Sequence, residues 1–122
     1  MTKTILTIDD SASIRQMVSM TLQSVGLDVV EAIDGADGYK KVISQTVHAV
    51  ITDLNMPAMN GIDFIRKYRQ HPSSKGVPII LLTTESDEEL KREAKEAGAT
   101  GWIVKPFKQD QLLAIIKKVT GA

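Results

Sequence analysis

The sequence predicts an α/β fold: one doubly wound, five-stranded parallel sheet with helices on both faces. Three observations carry this. Five short apolar runs rich in β-branched residues alternate with five segments whose apolar residues recur at helical spacing. Two of the runs, Ala49-Val50-Ile51 and Val77-Pro-Ile-Ile-Leu-Leu-Thr83, are apolar on nearly every position rather than every second one, as strands covered on both faces require. Four of the runs end in polar residues: Asp9-Asp10, Asp53, Thr83-Thr84 and Lys105.

Thr4-Ile-Leu-Thr-Ile8 is the first strand. Ser11-Ala-Ser13 offers an N-cap to a helix whose apolar face is Ile14, Met17, Val18, Thr21, Leu22 and Val25, with Gly26 to stop it. Residues 27–33 form the second strand. Asp34-Gly35 turns into a helix over residues 36–45, weakened by the interior Gly38. The third strand runs from His48 toward Asp53 and is followed by Asn55, Pro57 and Asn60-Gly61. Asn60-Gly61 opens a helix with Ile62, Ile65 and Tyr68 on one side, which the loop from His71 to Gly76 ends. Residues 77–83 are the fourth strand, with Pro78 near its start because proline cannot donate to a ladder. Ser86-Asp-Glu-Glu89 matches a capping box and starts a charged helix with a thin stripe of Leu90, Ala94 and Ala97, closed by Gly98. Gly101-Trp-Ile-Val-Lys105 is the fifth strand, stopped by Pro106, and a last helix over residues 109–119 buries Leu112, Leu113, Ile116 and Val119.

Composition narrows the function. The 122 residues suit one domain, read here as residues 1–122 with no output domain. The formal net charge of 0 gives no basic surplus that would point to nucleic acid. With no cysteine there is neither a disulfide framework nor a thiolate metal site, which fits a cytoplasmic protein. No apolar run approaches the roughly 20 residues of a membrane span, so no membrane partner is expected. His48 and His71 lack metal-ligand spacing and are expected at the surface.

The strand order expected for this alternation is 2-1-3-4-5, the flavodoxin-like arrangement, adopted rather than derived from the pattern. It brings the C-terminal ends of strands one, three, four and five together at one edge. Each polar residue there has an ordinary reading by itself: Asp9-Asp10 as a helix cap, Thr83 as a β-former, Lys105 as a solvated lysine. Together they make an oxygen-rich acidic cluster with a cation beside it. Such a set suits Mg²⁺, which takes one or two carboxylates and leaves room for a phosphoryl oxygen. Lys105 and the Thr83 hydroxyl would meet the remaining phosphoryl oxygens, and Asp53 can itself act as nucleophile.

The stretches Ile8-Asp9-Asp10-Ser11, Asp53-Leu54-Asn55-Met56-Pro57, Asn60-Gly61, Leu82-Thr83-Thr84 and residues 98–107 resemble the receiver domains of two-component response regulators, closest in type to stand-alone chemotaxis regulators. The resemblance covers essentially the whole chain. It implies that Asp53 is the phosphoacceptor. It also implies that Asp10, Asp53 and the Asn55 main-chain carbonyl ligate Mg²⁺, with Asp9 holding a metal water. Thr83 is then the switch hydroxyl, Lys105 pairs with the phosphoryl group, and the Lys105-Pro106 bond is cis. Asn55 and Glu85 resemble the pair that tunes dephosphorylation in chemotaxis regulators. Trp102 occupies the switch-aromatic position, where an indole is larger than the usual ring. Its plainer alternative is a strand residue packed under the last helix.

The function implied is a phosphorylation switch, not an enzyme acting on other molecules. A histidine kinase would supply the phosphoryl group. The surface of the fourth helix, fifth strand and fifth helix would change toward a protein target, which the resemblance implies to be the flagellar motor switch, with a phosphatase as a further implied partner and a monomer as the expected state. A phosphorelay intermediate is the alternative within this class. A Mg²⁺-dependent phosphatase would need a general acid at position 55, where Asn55 cannot serve. A flavin mononucleotide binder would place phosphate where Asp9-Asp10 repel it.

Overall fold

The computed structural model describes residues 2–121. Five parallel strands, β1 (Thr4–Ile8), β2 (Asp28–Ala32), β3 (Ala49–Thr52), β4 (Ile79–Thr83) and β5 (Gly101–Val104), lie in the order β2-β1-β3-β4-β5. Helices α1 (Ala12–Gln23), α2 (Gly35–Ser44), α3 (Gly61–Arg69), α4 (Glu88–Ala97) and α5 (Gln109–Thr120) connect and follow them. Both the strand order and the alternation are those the sequence predicts. β1 pairs in parallel with β3 as Ile8↔Thr52, and β4 with β5 as Thr83↔Val104. β3 pairs with β4 as Thr52↔Leu81, so the ends of these four strands lie along one edge, with β4 and β5 reaching two residues further than β1 and β3.

Strand alternation splits the core into two layers. Leu6, Val50, Ile79 and Leu81 face α2, α3 and α4, where Val42, Phe64, Ile65, Tyr68 and Ala94 meet them. Ile5, Ile51, Ile80 and Ile103 face α1 and α5, against Val18, Leu22, Leu112 and Ile116. β3 and β4 are buried along their whole length, which accounts for their unbroken apolar sequence. Each fully buried Leu or Ile contributes roughly 1.5–3 kcal/mol, so these central strands anchor the edge that carries the polar residues.

Several boundaries differ from the sequence reading. Helix α1 stops at Gln23 with Ser24 as its C-cap, and Gly26 takes the left-handed conformation (φ 83°) two residues later. Val25 thus falls in the turn and is 56% exposed, and Met17 is 37% exposed. Strand β2 is shorter than residues 27–33 because Ile33 leaves the sheet for solvent. The cap of α4 is Asp87, whose carboxylate accepts from Glu89 N at 2.7 Å, not Ser86. Both residues are good caps, and sequence spacing cannot choose between them. Gly38 is buried, and a Cβ there would lie 2.4 Å from Ile8 Cδ1. The missing side chain lets α2 settle onto β1 just before Asp9. His48 is half-buried rather than free at the surface, its Nδ1 accepting from Thr4 N at 3.0 Å. No helix among the described residues is long and apolar enough to cross a membrane.

Candidate functional site

The end of β1 delivers Asp9 and Asp10. Asp9 is buried, its N–H donates to Ala32 O, and its Oδ1 accepts from Ser11 N at 2.9 Å. Asp10 is exposed. Asp53 follows the last residue of β3, held by its own N–H to Ile8 O at 2.9 Å, and is 8% exposed. Carboxylate oxygens of Asp9, Asp10 and Asp53 lie within 4.8 Å of one another. Lys105, past the end of β5, reaches across to donate to Asp9 Oδ2 at 3.2 Å and Asp53 Oδ1 at 3.3 Å. Its backbone N–H is fixed by Thr83 O at 2.8 Å, and the Lys105-Pro106 bond is cis.

Asp53 Oδ1 also accepts from Leu54 N at 2.9 Å, whereas Oδ2 accepts no hydrogen bond among the described residues. Burial, and then the Asp9 carboxylate, push the Asp53 carboxyl above its ordinary value; Lys105 and Leu54 N–H oppose this without overcoming it. An all-oxygen donor set around a carboxylate disfavoured by its neighbours suits a hard divalent cation, and the residues present fit one. Asn55 is exposed two residues beyond Asp53. The loop that follows is tightly turned: Met59 N donates to Pro57 O at 2.7 Å across Ala58, which sits at φ 67°.

Thr83 is fully buried, and its Oγ1 accepts from Glu85 N at 3.2 Å. The Glu85 carbonyl accepts from Trp102 Nε1 at 3.0 Å. One residue of the loop between β4 and α4 is thus held from both sides by the two expected switch residues. Trp102 packs against the core layer that contains Ala94 of α4. It is Ile103, on the other face of β5, that packs with Leu112 and Ile116 of α5. The placement of Trp102 under the last helix is therefore overturned by strand alternation.

Asp9, Asp10, Asp53 and Lys105 converge as the sequence predicts, Thr83 lies at the neighbouring strand end, and Trp102 connects through Glu85. Arg15 carries no motif signal, yet its Nη1 donates to the Asp9 carbonyl at 2.6 Å.

Fold and site together define an acidic, lysine-bearing cluster at the switch point of a doubly wound sheet. The chain belongs to the response regulator receiver domain family, whose model matches residues 5–117. More particularly, it is similar to chemotaxis proteins. It is 36% identical over 119 residues to the probable chemotaxis protein CheY of Rhizobium etli, covering 97% of this chain and 92% of that one. It is 37% identical over 119 residues to the chemotaxis protein CheY1 of Helicobacter pylori, covering 96% of each. The structure of the chemotaxis protein CheY4 of Vibrio cholerae superposes with a TM-score of 0.94 at 44% identity, covering 98% of this chain and 99% of that one.

Proposed function

We propose that this protein is a phosphorylation-dependent switch in which Asp53 accepts a phosphoryl group from a histidine kinase with the help of Mg²⁺, in chemotaxis signalling. The observation that carries the reading is the pairing on Asp53: Oδ1 is held by Lys105 and Leu54 N, while Oδ2 is left to attack phosphorus. As the new oxygen–phosphorus bond forms, the donor's bond to phosphorus breaks and its leaving group departs with the electron pair. The Lys105 ammonium, already beside Asp53, neutralises charge on the transferring group. Bound Mg²⁺, held by Asp10, Asp53 and the Asn55 carbonyl with Asp9 on a metal water, would neutralise the carboxylates and the phosphoryl oxygens together. Asn55, two residues beyond the acceptor, and the half-buried Glu85, in the loop after β4, would set how readily water removes the phosphoryl group. This self-directed chemistry is the only catalysis assigned to the chain.

Output runs through Thr83 and Trp102. When the Thr83 hydroxyl turns to the phosphoryl group, Glu85 N–H loses its acceptor, and the loop tied to the Trp102 indole shifts. The affected surface is that of α4, β5 and α5, and likeness to chemotaxis proteins favours a flagellar motor component as its target.

Incubation with acetyl phosphate and Mg²⁺ followed by intact mass is expected to show a single phosphoryl adduct on the wild type. Its absence at saturating donor ends this reading. Beryllofluoride with Mg²⁺ is expected to change Trp102 emission. Unaltered emission and quenching, with the mimic shown to be bound, would remove Trp102 from the switch.

A further inference from the structure

The guanidinium of Arg15, on the second turn of α1, bends back toward the strand ends. Its Nη1 donates to the main-chain carbonyl of Asp9 at 2.6 Å, and its Nε donates to Glu31 Oε1 of β2 at 3.3 Å. The side chain is 16% exposed, and its Glu31 partner is 46% exposed. A half-exposed ion pair adds little stability. Its geometric effect is to orient the planar guanidinium.

The carbonyl that Arg15 holds belongs to the peptide linking Asp9 to Asp10. The other side of Asp9 is fixed by its N–H to Ala32 O and its Oδ1 to Ser11 N. Asp10 makes no hydrogen bond or ion pair among the described residues, so its backbone alone aims its carboxylate. We propose that Arg15 is a positioning residue for the cation site: by fixing the Asp9–Asp10 peptide it sets the affinity of the acid cluster for Mg²⁺. Glu31 holds Arg15 in place from β2. The inference rests on the cation site proposed above.

The test is calorimetric titration of Mg²⁺ into the full chain. Arg15→Ala is expected to weaken binding about tenfold or more, the usual cost of removing a group that orients a metal ligand. Arg15→Lys keeps a donor to the carbonyl and should recover most of the loss, and Glu31→Ala should show a smaller one. Arg15→Met retains the apolar stem and replaces Arg15→Ala if that variant fails to fold. Because the readout is affinity, a purely structural Arg15 would lower the melting temperature and leave it unmoved. Binding within about twofold of wild type in the Arg15→Ala or Arg15→Met variant overturns the proposal while leaving the phosphorylation reading intact. A wild type that binds no Mg²⁺ overturns both.

Discussion

An Asp53→Asn variant is expected to take up no phosphoryl group from acetyl phosphate, and yet to melt above the wild type in Mg²⁺-free buffer at neutral pH. The first result follows from chemistry, since a carboxamide lacks the nucleophilic oxygen. The second follows from linkage. Burial and the Asp9 carboxylate raise the Asp53 carboxyl above its ordinary 3.8. Between 3.8 and that raised value, the folded state holds a proton that the unfolded chain has released. Stability therefore falls as pH rises through this window and stays lowered above it. Asn carries no charge, so the fall should flatten. Lys105 bonds Asp9 Oδ2 as well as Asp53, and that bond does not depend on the Asp53 charge. Relief of the unfavourable buried charge raises the melting temperature, each kcal/mol gained being worth about 2–6 °C for a chain of this length. Mg²⁺ should narrow the gap, because ligand bound only to the folded state raises the wild type's melting temperature more than the variant's. Melting curves from pH 3 upward, with and without Mg²⁺, check both results. A variant that melts at or below the wild type throughout would mean that Lys105 fully compensates the Asp9–Asp53 repulsion.

Asp9, Asp10, Asp53 and Lys105 could be found because each sits where an apolar run ends, and parallel topology fixes where such ends go. Thr83 was found the same way. Trp102 could be assigned to a strand but not to a face: its alternation with Ile103 is in the sequence, whereas which layer faces α4 is set by the crossovers. Arg15 was invisible for a different reason. A lone arginine inside a helix reads as solvated, and only three-dimensional proximity shows it curling back to the Asp9 carbonyl. Gly38 read as a defect in α2 and proved to be a close approach to Ile8. Spacing cannot distinguish a glycine that weakens a helix from one that lets it pack.

Gly61 is the sharpest case of such an approach, and Gly61→Ala is expected to damage both stability and phosphoryl capture. Gly61 begins α3, with Asn60 capping the helix through Asp63 N at 2.8 Å. Its own N–H donates to Leu54 O at 2.8 Å, which draws the helix onto the acceptor loop. A Cβ at this position would lie 2.3 Å from the Asp53 carbonyl oxygen, 2.8 Å from Leu81 Cδ2 and 3.1 Å from Leu54 Cα. Two of these three neighbours are backbone, so relief requires breaking the Gly61–Leu54 bond or moving Asp53 itself. Overpacking of this kind costs about 1–3 kcal/mol, and the upper end applies because no flexible side chain can absorb the main clash. Displacing the acceptor by a fraction of an ångström should slow capture from acetyl phosphate by about ten- to hundredfold, since in-line transfer depends on position. Gly26→Ala separates the two effects. Gly26 has φ 83° but no neighbour within 4 Å of the added carbon. Its replacement should cost about 1 kcal/mol through left-handed backbone strain while leaving the capture rate at the wild-type value. If Gly61→Ala instead matched Gly26→Ala in both melting temperature and rate, α3 would not be what clamps the phosphoacceptor in place.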